Sequence, residues 1–235
     1  MVPLQDLLRN ALLGSLRMAI FEELSPELQT VSLPVGHVFN EPGEEVDQVI
    51  FPQSGMVSLL AVMLDGSAIE TATVGREGVI GGMAGLGPHV THIRSIVQTP
   101  LIASRVGAVP FRTLVLANSE LRDLVVRHNE VLLAQVQVNA ACNAIHSLEA
   151  RLSRWILQTR DRIDENEIPL THELLSEMLG VRRSSVSEIA NKLQSAKLIS
   201  YTRGKIHIDD REALERTACE CYQTIKRNAS EILKR

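Results

Sequence analysis

The chain has 235 residues, 45% of them apolar, which is enough for two domains with real cores. Its formal net charge of −4 excludes a protein that is basic throughout, and with 3% aromatic residues the packing must be mainly aliphatic. Three cysteines, Cys142, Cys219 and Cys221, are too few for a disulfide framework and fit a reducing, cytoplasmic compartment.

The N-terminal stretch "VPLQDLLRNALLGSLRMAIFEEL" is interrupted by Arg9, Asn10 and Arg17. It reads as short amphipathic helices and not as a signal peptide or a membrane span, which needs about 20 apolar residues in a row. "SPEL" at 25–28 offers Ser25 as a cap and Pro26 in the first turn of a helix. Residues 31 to 109 are rich in Val, Ile, Thr and Gly, in short runs divided by "EPGE", "PQSG" and "LDGS". Such spacing predicts short antiparallel strands in a sandwich or barrel, with "MLDGSAI" as a tight hairpin.

From about 110 the pattern is helical. Residues 118–146 lack Pro and Gly and predict one long helix, with Asn118 or Ser119 as its cap and Glu120 in its first turn. Leu121, Leu124, His128, Val131, Gln135, Val138, Cys142 and Ile145 recur at spacings of three and four, a heptad seam. Val125, Leu132, Leu133 and Val136 form a second stripe beside it. One stripe can pack on the chain's own β domain and the other on a partner. The polar His128 and Gln135 assign the first to a helix–helix dimer interface; the alternative is a helix buried in a single core. "SLEARLSRWILQTRDRI" (147–163) predicts a further amphipathic helix, and "DENEIPL" a polar connector.

"LTHELLSEMLGVRRSSVSEIANKLQSAKL" then gives two helices joined at Gly180. Thr171 caps the first, whose apolar face is Leu174, Leu175, Met178 and Leu179; Val186, Ile189, Ala190 and Leu193 line the second. This is a helix-turn-helix pattern, and "ISYTRGKIHIDD" adds a hairpin about Arg203 and Gly204. Residues 171–208 hold six Lys/Arg against three Glu, a basic module on an acidic body, which is the footprint of a nucleic-acid reader. The tail from 211 reads as helical.

The order of β-rich domain, long helix, helix-turn-helix and wing resembles the Crp/Fnr family of transcription regulators. The strongest matches are "LPVGHVFNEPGEEVDQVIFPQSGMVSLL" and "LTHELLSEMLGVRRSSVSEIANKLQSAKLISYTRGKIHI". The resemblance implies an α+β fold: an N-terminal antiparallel, jelly-roll-like β-roll (1–117), a dimerisation helix (118–146) and a C-terminal winged helix-turn-helix with a final helix (147–235). It implies a homodimer on double-stranded DNA, reading an inverted repeat, with RNA polymerase as protein partner and no membrane. The recognition helix begins near Arg182, with Arg183, Ser184, Ser187 and Glu188 at base-reading positions. Arg182, Ser185, Lys192 and Arg203 are expected to hold phosphates. Family members often carry Glu where this chain has Ser184 and Arg where it has Glu188, so the operator is not inherited.

In nucleotide-sensing members the β-roll clamps a cyclic phosphate. Gly82 stands where their ribose-binding Glu would be, Thr91 and His92 where their Arg-Ser pair would be, and Val136 and Gln137 where the helix hydroxyls would be. Arg94 is three residues late. The expected effector pocket is therefore Gly81, Gly82, Thr91, His92, Arg94, Val136 and Gln137, without the usual clamp. The glycine-rich run leaves room for a ligand or serves as a structural turn.

No cofactor is required by the sequence, and no metal site is expected. Cys219 and Cys221 form a C-x-C which, on a helix, would diverge by about 200°. Cys142 reads as a redox sensor or a small core residue. No nucleophile–base motif or phosphate loop suggests an enzyme. The alternative reading is a small-molecule or cyclic-nucleotide binder whose helix-turn-helix does not read DNA.

Overall fold

The computed structural model describes residues 7–163, 165–202 and 204–234. Helices α1 (Ala11–Ser15) and α2 (Met18–Leu24) open the chain. "SPEL" ends α2 in one tighter helical turn, Ser25–Glu27, in place of starting a helix, because the Ser25 hydroxyl turns back to the Glu22 carbonyl and the chain is extended from Gln29.

Seven strands follow: β1 (Gln29–Leu33), β2 (Val38–Asn40), β3 (Gln48–Ser54), β4 (Val57–Val62), β5 (Ala68–Val74), β6 (Arg94–Val97) and β7 (Leu101–Gly107). They form two antiparallel sheets, ordered β1-β7-β3 and β2-β6-β4-β5. Ile50, Leu101 and Ala103 of the first meet Val57, Leu59, Ala72, Val74 and Val97 of the second in one core. This is the expected β-roll, and β4 and β5 make the expected hairpin, closed by Asp65, whose carboxylate accepts from the backbone and hydroxyl of Ser67.

Helix α3 (Ala108–Ala117) leads to the long helix α4 (Ser119–Ile145). Asn118 is its cap, accepting from the backbone N–H groups of Glu120 and Leu121. Helix α5 (Leu148–Ile163) follows, but it is not a surface amphipath: every residue from Arg151 to Thr159 is buried. It is the central post of the C-terminal half. "DENEIPL" is more than a connector, since β8 (Glu167–Pro169) joins the wing sheet. Then come α6 (His172–Leu179), α7 (Arg183–Ser195), β9 (Ile199–Thr202), β10 (Lys205–Ile208), α8 (Arg211–Thr217) and α9 (Cys221–Leu233). Thr171 caps α6 through the Leu174 N–H, and Gly180 closes it at φ +63°, as its place in the sequence requires.

The seam predicted for a partner helix faces inward, which corrects that assignment. Leu121, Leu124, His128, Val131, Gln135 and Cys142 are all buried in their own protomer, Val138 is half-buried, and only Ile145 is open, at 73% exposure. The reason lies in β5, the edge of its sheet, whose backbone groups need partners. Gln135 engages Thr73 at 3.1 Å, and the Asn139 amide donates to the Thr71 carbonyl at 2.9 Å. His128 accepts from the Val79 N–H at 3.2 Å. Within the chain, the polar residues of the seam cover the roll's edge.

The C-terminal half also docks on β5. Gly180 lies against Ile69, where an added Cβ would stand 3.2 Å from the Ile side chain. Arg162 reaches the Glu77 carboxylate at 2.8 Å. Trp155 donates its indole N–H to buried Glu70 at 2.8 Å, and the Ser58 hydroxyl donates to the other carboxylate oxygen at 2.6 Å. Burial raises the Glu70 carboxyl from 4.5 to about 7, opposed by these two bonds and by Arg154 and Arg162.

That shift sets a pH dependence. Between its unfolded and folded values Glu70 keeps its proton only in the folded state, so its contribution to stability falls as pH rises through that window, on the order of 3 kcal/mol in all. Glu70→Gln keeps the shape and removes the titration. Urea unfolding at about pH 5 and about pH 8 should show the variant gaining on the parent chain at the higher pH. Parallel profiles for the two proteins would show that Glu70 does not carry the proton.

Candidate nucleic-acid interface and sensor cavity

Helix α7 is held by its apolar side. Val186 and Leu193 are buried in the same core as Trp155, Leu175, Met178 and Ile206 of the wing, and Ala190 on the same side is buried too. The opposite side is open: Arg182, Arg183, Ser184, Glu188 and Asn191 are exposed, and Ser185 is half-buried. Arg182 is the N-cap and supplies no side-chain cap bond, so the first N–H groups of α7 have no side-chain acceptor at the cap, an arrangement suited to a phosphate. Ser184, Glu188 and Asn191 follow one another at helical spacing and form one stripe. Arg183 is 69% exposed and has Glu173 of α6 at 3.6 Å, an exposed pair that holds it weakly.

Two expected contact residues are partly engaged elsewhere. The Ser187 hydroxyl donates to the Arg183 carbonyl at 3.1 Å and meets His172 Nδ1 at 2.9 Å, so it supports the helix surface from below. Lys192 is drawn to Glu149 at 2.5 Å, at the start of α5. Arg203 lies outside the described residues; its neighbour Gly204 turns the β9–β10 hairpin.

His172 is a residue that spacing does not reveal. Its ring stacks on Tyr201 of β9, centroids 4.2 Å apart, while Nδ1 touches Ser187 of α7. One imidazole thus ties the start of α6, helix α7 and the wing together. Burial holds its pKa below the ordinary histidine value, and nearby Arg183 adds to the effect.

The roll contains a cavity of about 130 Å³ beside α4, lined by Gly81, Gly82 and Thr91 as expected, together with Asn40, His89, Ser95 and His128. That is below the range of about 300–1,000 Å³ typical of small-molecule pockets. The other expected pocket residues are not part of it, which corrects the assignment. His92 and Gln137 are exposed to solvent, and Val136 packs against the core between the sheets. Arg94 points to Glu41, its Nε 2.9 Å from both carboxylate oxygens. Burial lowers the His128 pKa to about 4, leaving a neutral ring. The glycine-rich run has a packing reason: a Cβ on Gly78 would stand 2.4 Å from His128 Nε2.

The C-x-C expectation is also corrected. Cys219 and Cys221 are not on one helix: α8 ends at Thr217 and α9 begins at Cys221, so the chain turns between them. The turn brings both thiols to Cys142 and His146 at the end of α4, and the four ligand atoms all lie within 4.8 Å of one another.

Comparison with known proteins agrees with this architecture. A family model described as the Crp-like helix-turn-helix domain matches residues 150–217. No curated protein sequence matches the chain. Among solved structures, a transcriptional regulator of the Crp/Fnr family from Eubacterium rectale superposes with a TM-score of 0.68 at 18% identity, covering 88% of this chain and 99% of that one. A CRP/FNR-family regulator from Thermus thermophilus gives 0.67 at 23% identity, over 81% of this chain and 98% of the other. FixK2 from Bradyrhizobium japonicum gives 0.70 at 13% identity, over 82% and 98%. No helix among the described residues is long and apolar enough to cross a membrane. The resemblance to the Crp/Fnr family is borne out: residues 150–217 are a Crp-like helix-turn-helix domain, carried by a chain with the fold of the Crp/Fnr transcription regulators.

Proposed function

We propose that the protein is a dimeric, sequence-specific DNA-binding transcription regulator that acts on RNA polymerase and does not answer to cyclic AMP. The observation that carries this reading is the Crp-like module, with the polar face of α7 open to solvent and its apolar face buried. Placed in a major groove by its N-terminus, α7 carries Arg183 to a guanine edge and Ser184, Glu188 and Asn191 along the next bases. Arg182, Ser185 and wing residue Arg203 then hold phosphates, and Lys192 does so after leaving Glu149. A two-fold dimer reads an inverted repeat with half-sites about 34–36 Å apart. Arg183→Ala should cost about 1–3 kcal/mol per half-site and relax selectivity at one base position. Arg203→Ala should weaken all sequences alike and flatten the salt dependence. Affinities for operator and random DNA at two salt concentrations separate the two; equal loss on both DNAs for Arg183→Ala would make it a phosphate contact only.

The dimer surface is the outward face of α4. Val126 and Leu133 lie there at 43% and 55% exposure, a heptad apart, with half-buried Leu132 and Val136 beside Leu133. Leu133→Glu should yield a folded monomer with weakened operator binding. Leu124→Glu, on the inward face, should instead unfold the chain. Sedimentation and circular dichroism together read both outcomes; a Leu133→Glu protein that remains dimeric places the interface elsewhere.

The small cavity supports loss of the nucleotide clamp. Among the described residues lining it none is Arg or Lys, Arg94 is occupied by Glu41, and His128 is neutral. A buried cyclic phosphate needs a charged partner. Cyclic AMP should therefore bind no tighter than about 1 mM, or about −4 kcal/mol. Micromolar binding by calorimetry would overturn this part of the reading.

A further inference from the structure

All three cysteines of the chain and His146 meet at one point, where the last turn of α4 touches the junction of α8 and α9. Cys142 and His146 are four residues apart and so share a helix face. Cys219 and Cys221 flank Glu220 in the turn. The thiols are buried, Cys142 completely. The Cys142 and Cys219 sulfurs are 3.5 Å apart, and Cys221 Sγ is 3.6 Å from His146 Nδ1.

A tetrahedral zinc ion sets these distances independently. Zn–S bonds of about 2.3 Å and Zn–N bonds of about 2.0–2.1 Å put paired sulfurs about 3.8 Å apart and sulfur about 3.5 Å from nitrogen. These two separations match those edges to within a few tenths of an ångström, and all four ligand atoms lie within 4.8 Å of one another, close enough for one ion to draw them together. The surroundings also match. The His146 Nε2 is 3.2 Å from the Glu220 carboxylate, which fixes the proton on that nitrogen and turns the Nδ1 lone pair toward the sulfurs. Three thiolates and a neutral imidazole on a divalent ion leave one net negative charge. Arg151 and Arg154 are buried close enough for their charge to act on Cys142, and the Nε of each has no hydrogen-bond partner. Both offer compensating positive charge.

We infer that Cys142, His146, Cys219 and Cys221 form a binding site for a thiophilic divalent cation, Zn²⁺, that clasps the end of the long helix to the C-terminal helices. In the bound state the three sulfurs are thiolates and His146 is a neutral imidazole, so binding releases the ligands' protons to solvent. The four ligands close the coordination shell, so the site is structural in type and holds no open position for catalysis. Its place is mechanical: His146 is the C-cap of α4 and Leu148 begins α5, so the clasp fixes the joint through which the roll connects to the helix-turn-helix. This inference stands apart from the DNA-binding reading.

The test uses the full-length reduced protein with Co²⁺ as a spectroscopic stand-in and with Zn²⁺ itself. One Co²⁺ per chain should bind, with thiolate-to-metal charge-transfer bands and the strong visible bands of a tetrahedral site. Zn²⁺ should displace it, raise Tm and slow alkylation of all three thiols. Cys219→Ser should lose stoichiometric binding. Glu220→Gln, which leaves every ligand in place, should bind about 10–100-fold more weakly. Absence of charge-transfer bands overturns the inference, as does an unchanged Co²⁺ spectrum in Cys219→Ser. So does alkylation of the native protein that proceeds at the same rate with and without Zn²⁺, which also covers the case of a variant that fails to fold. A Cys142–Cys219 disulfide that forms equally fast in the presence of Zn²⁺ would overturn it as well.

Discussion

Strand β5 is an edge, and the rest of the molecule is arranged around the need to cover it. Unpaired backbone groups on an edge strand must find partners or face water. Here α4 supplies Gln135 to the carbonyl and N–H of Thr73, and the Asn139 amide donates to the Thr71 carbonyl. Helix α5 brings Trp155 to Glu70 and Arg162 to the Thr73 carbonyl and Glu77, and the turn after α6 rests on Ile69. One strand of the roll therefore organises the long helix, the central post and the helix-turn-helix. The buried Glu70 carboxyl costs stability when charged, and it is tolerated because the Trp155 and Ser58 donors and two guanidinium groups surround it.

This arrangement explains which parts of the structure were legible in the sequence. Most local signals were faithful, the "SPEL" helix start being an exception. Asn118 and Thr171 cap the helices they precede, Gly180 turns where the chain must adopt positive φ, and the short Val- and Ile-rich runs between turn residues become the strands of the roll. Long-range partners were not legible. The heptad on α4 reads the same whether the seam meets a second copy or the edge of the chain's own sheet, because polar residues such as His128 and Gln135 satisfy either setting. "SLEARLSRWILQ" alternates like a surface helix, yet from Arg151 onward it is buried on all sides because it packs between the roll and the wing. The C-x-C was misjudged for a local reason: helix boundaries are the least certain part of a sequence reading, and two helices meet where one was expected.

The proposed DNA face follows the same division. Arg182, Arg183, Ser184 and Glu188 are open, as the amphipathic pattern of α7 requires. The diversion of Lys192 to Glu149 and of Ser187 to His172 depends on residues more than ten positions away and carries no local signature. In the roll, Gly82 and Thr91 reach the cavity, whereas Arg94 turns to Glu41 on the neighbouring strand–turn segment. A site assembled from several elements is predictable only as far as each element's facing is.

The central claim is that α7 reads DNA sequence as one half of a two-fold dimer. Selection of bound fragments from a random DNA pool by the full-length protein tests it most directly. The account predicts enrichment of a single inverted repeat, with base preferences confined to two half-sites about one helical turn apart. Recovery of a pool with no enriched repeat, under salt conditions where binding is measurable, would contradict it.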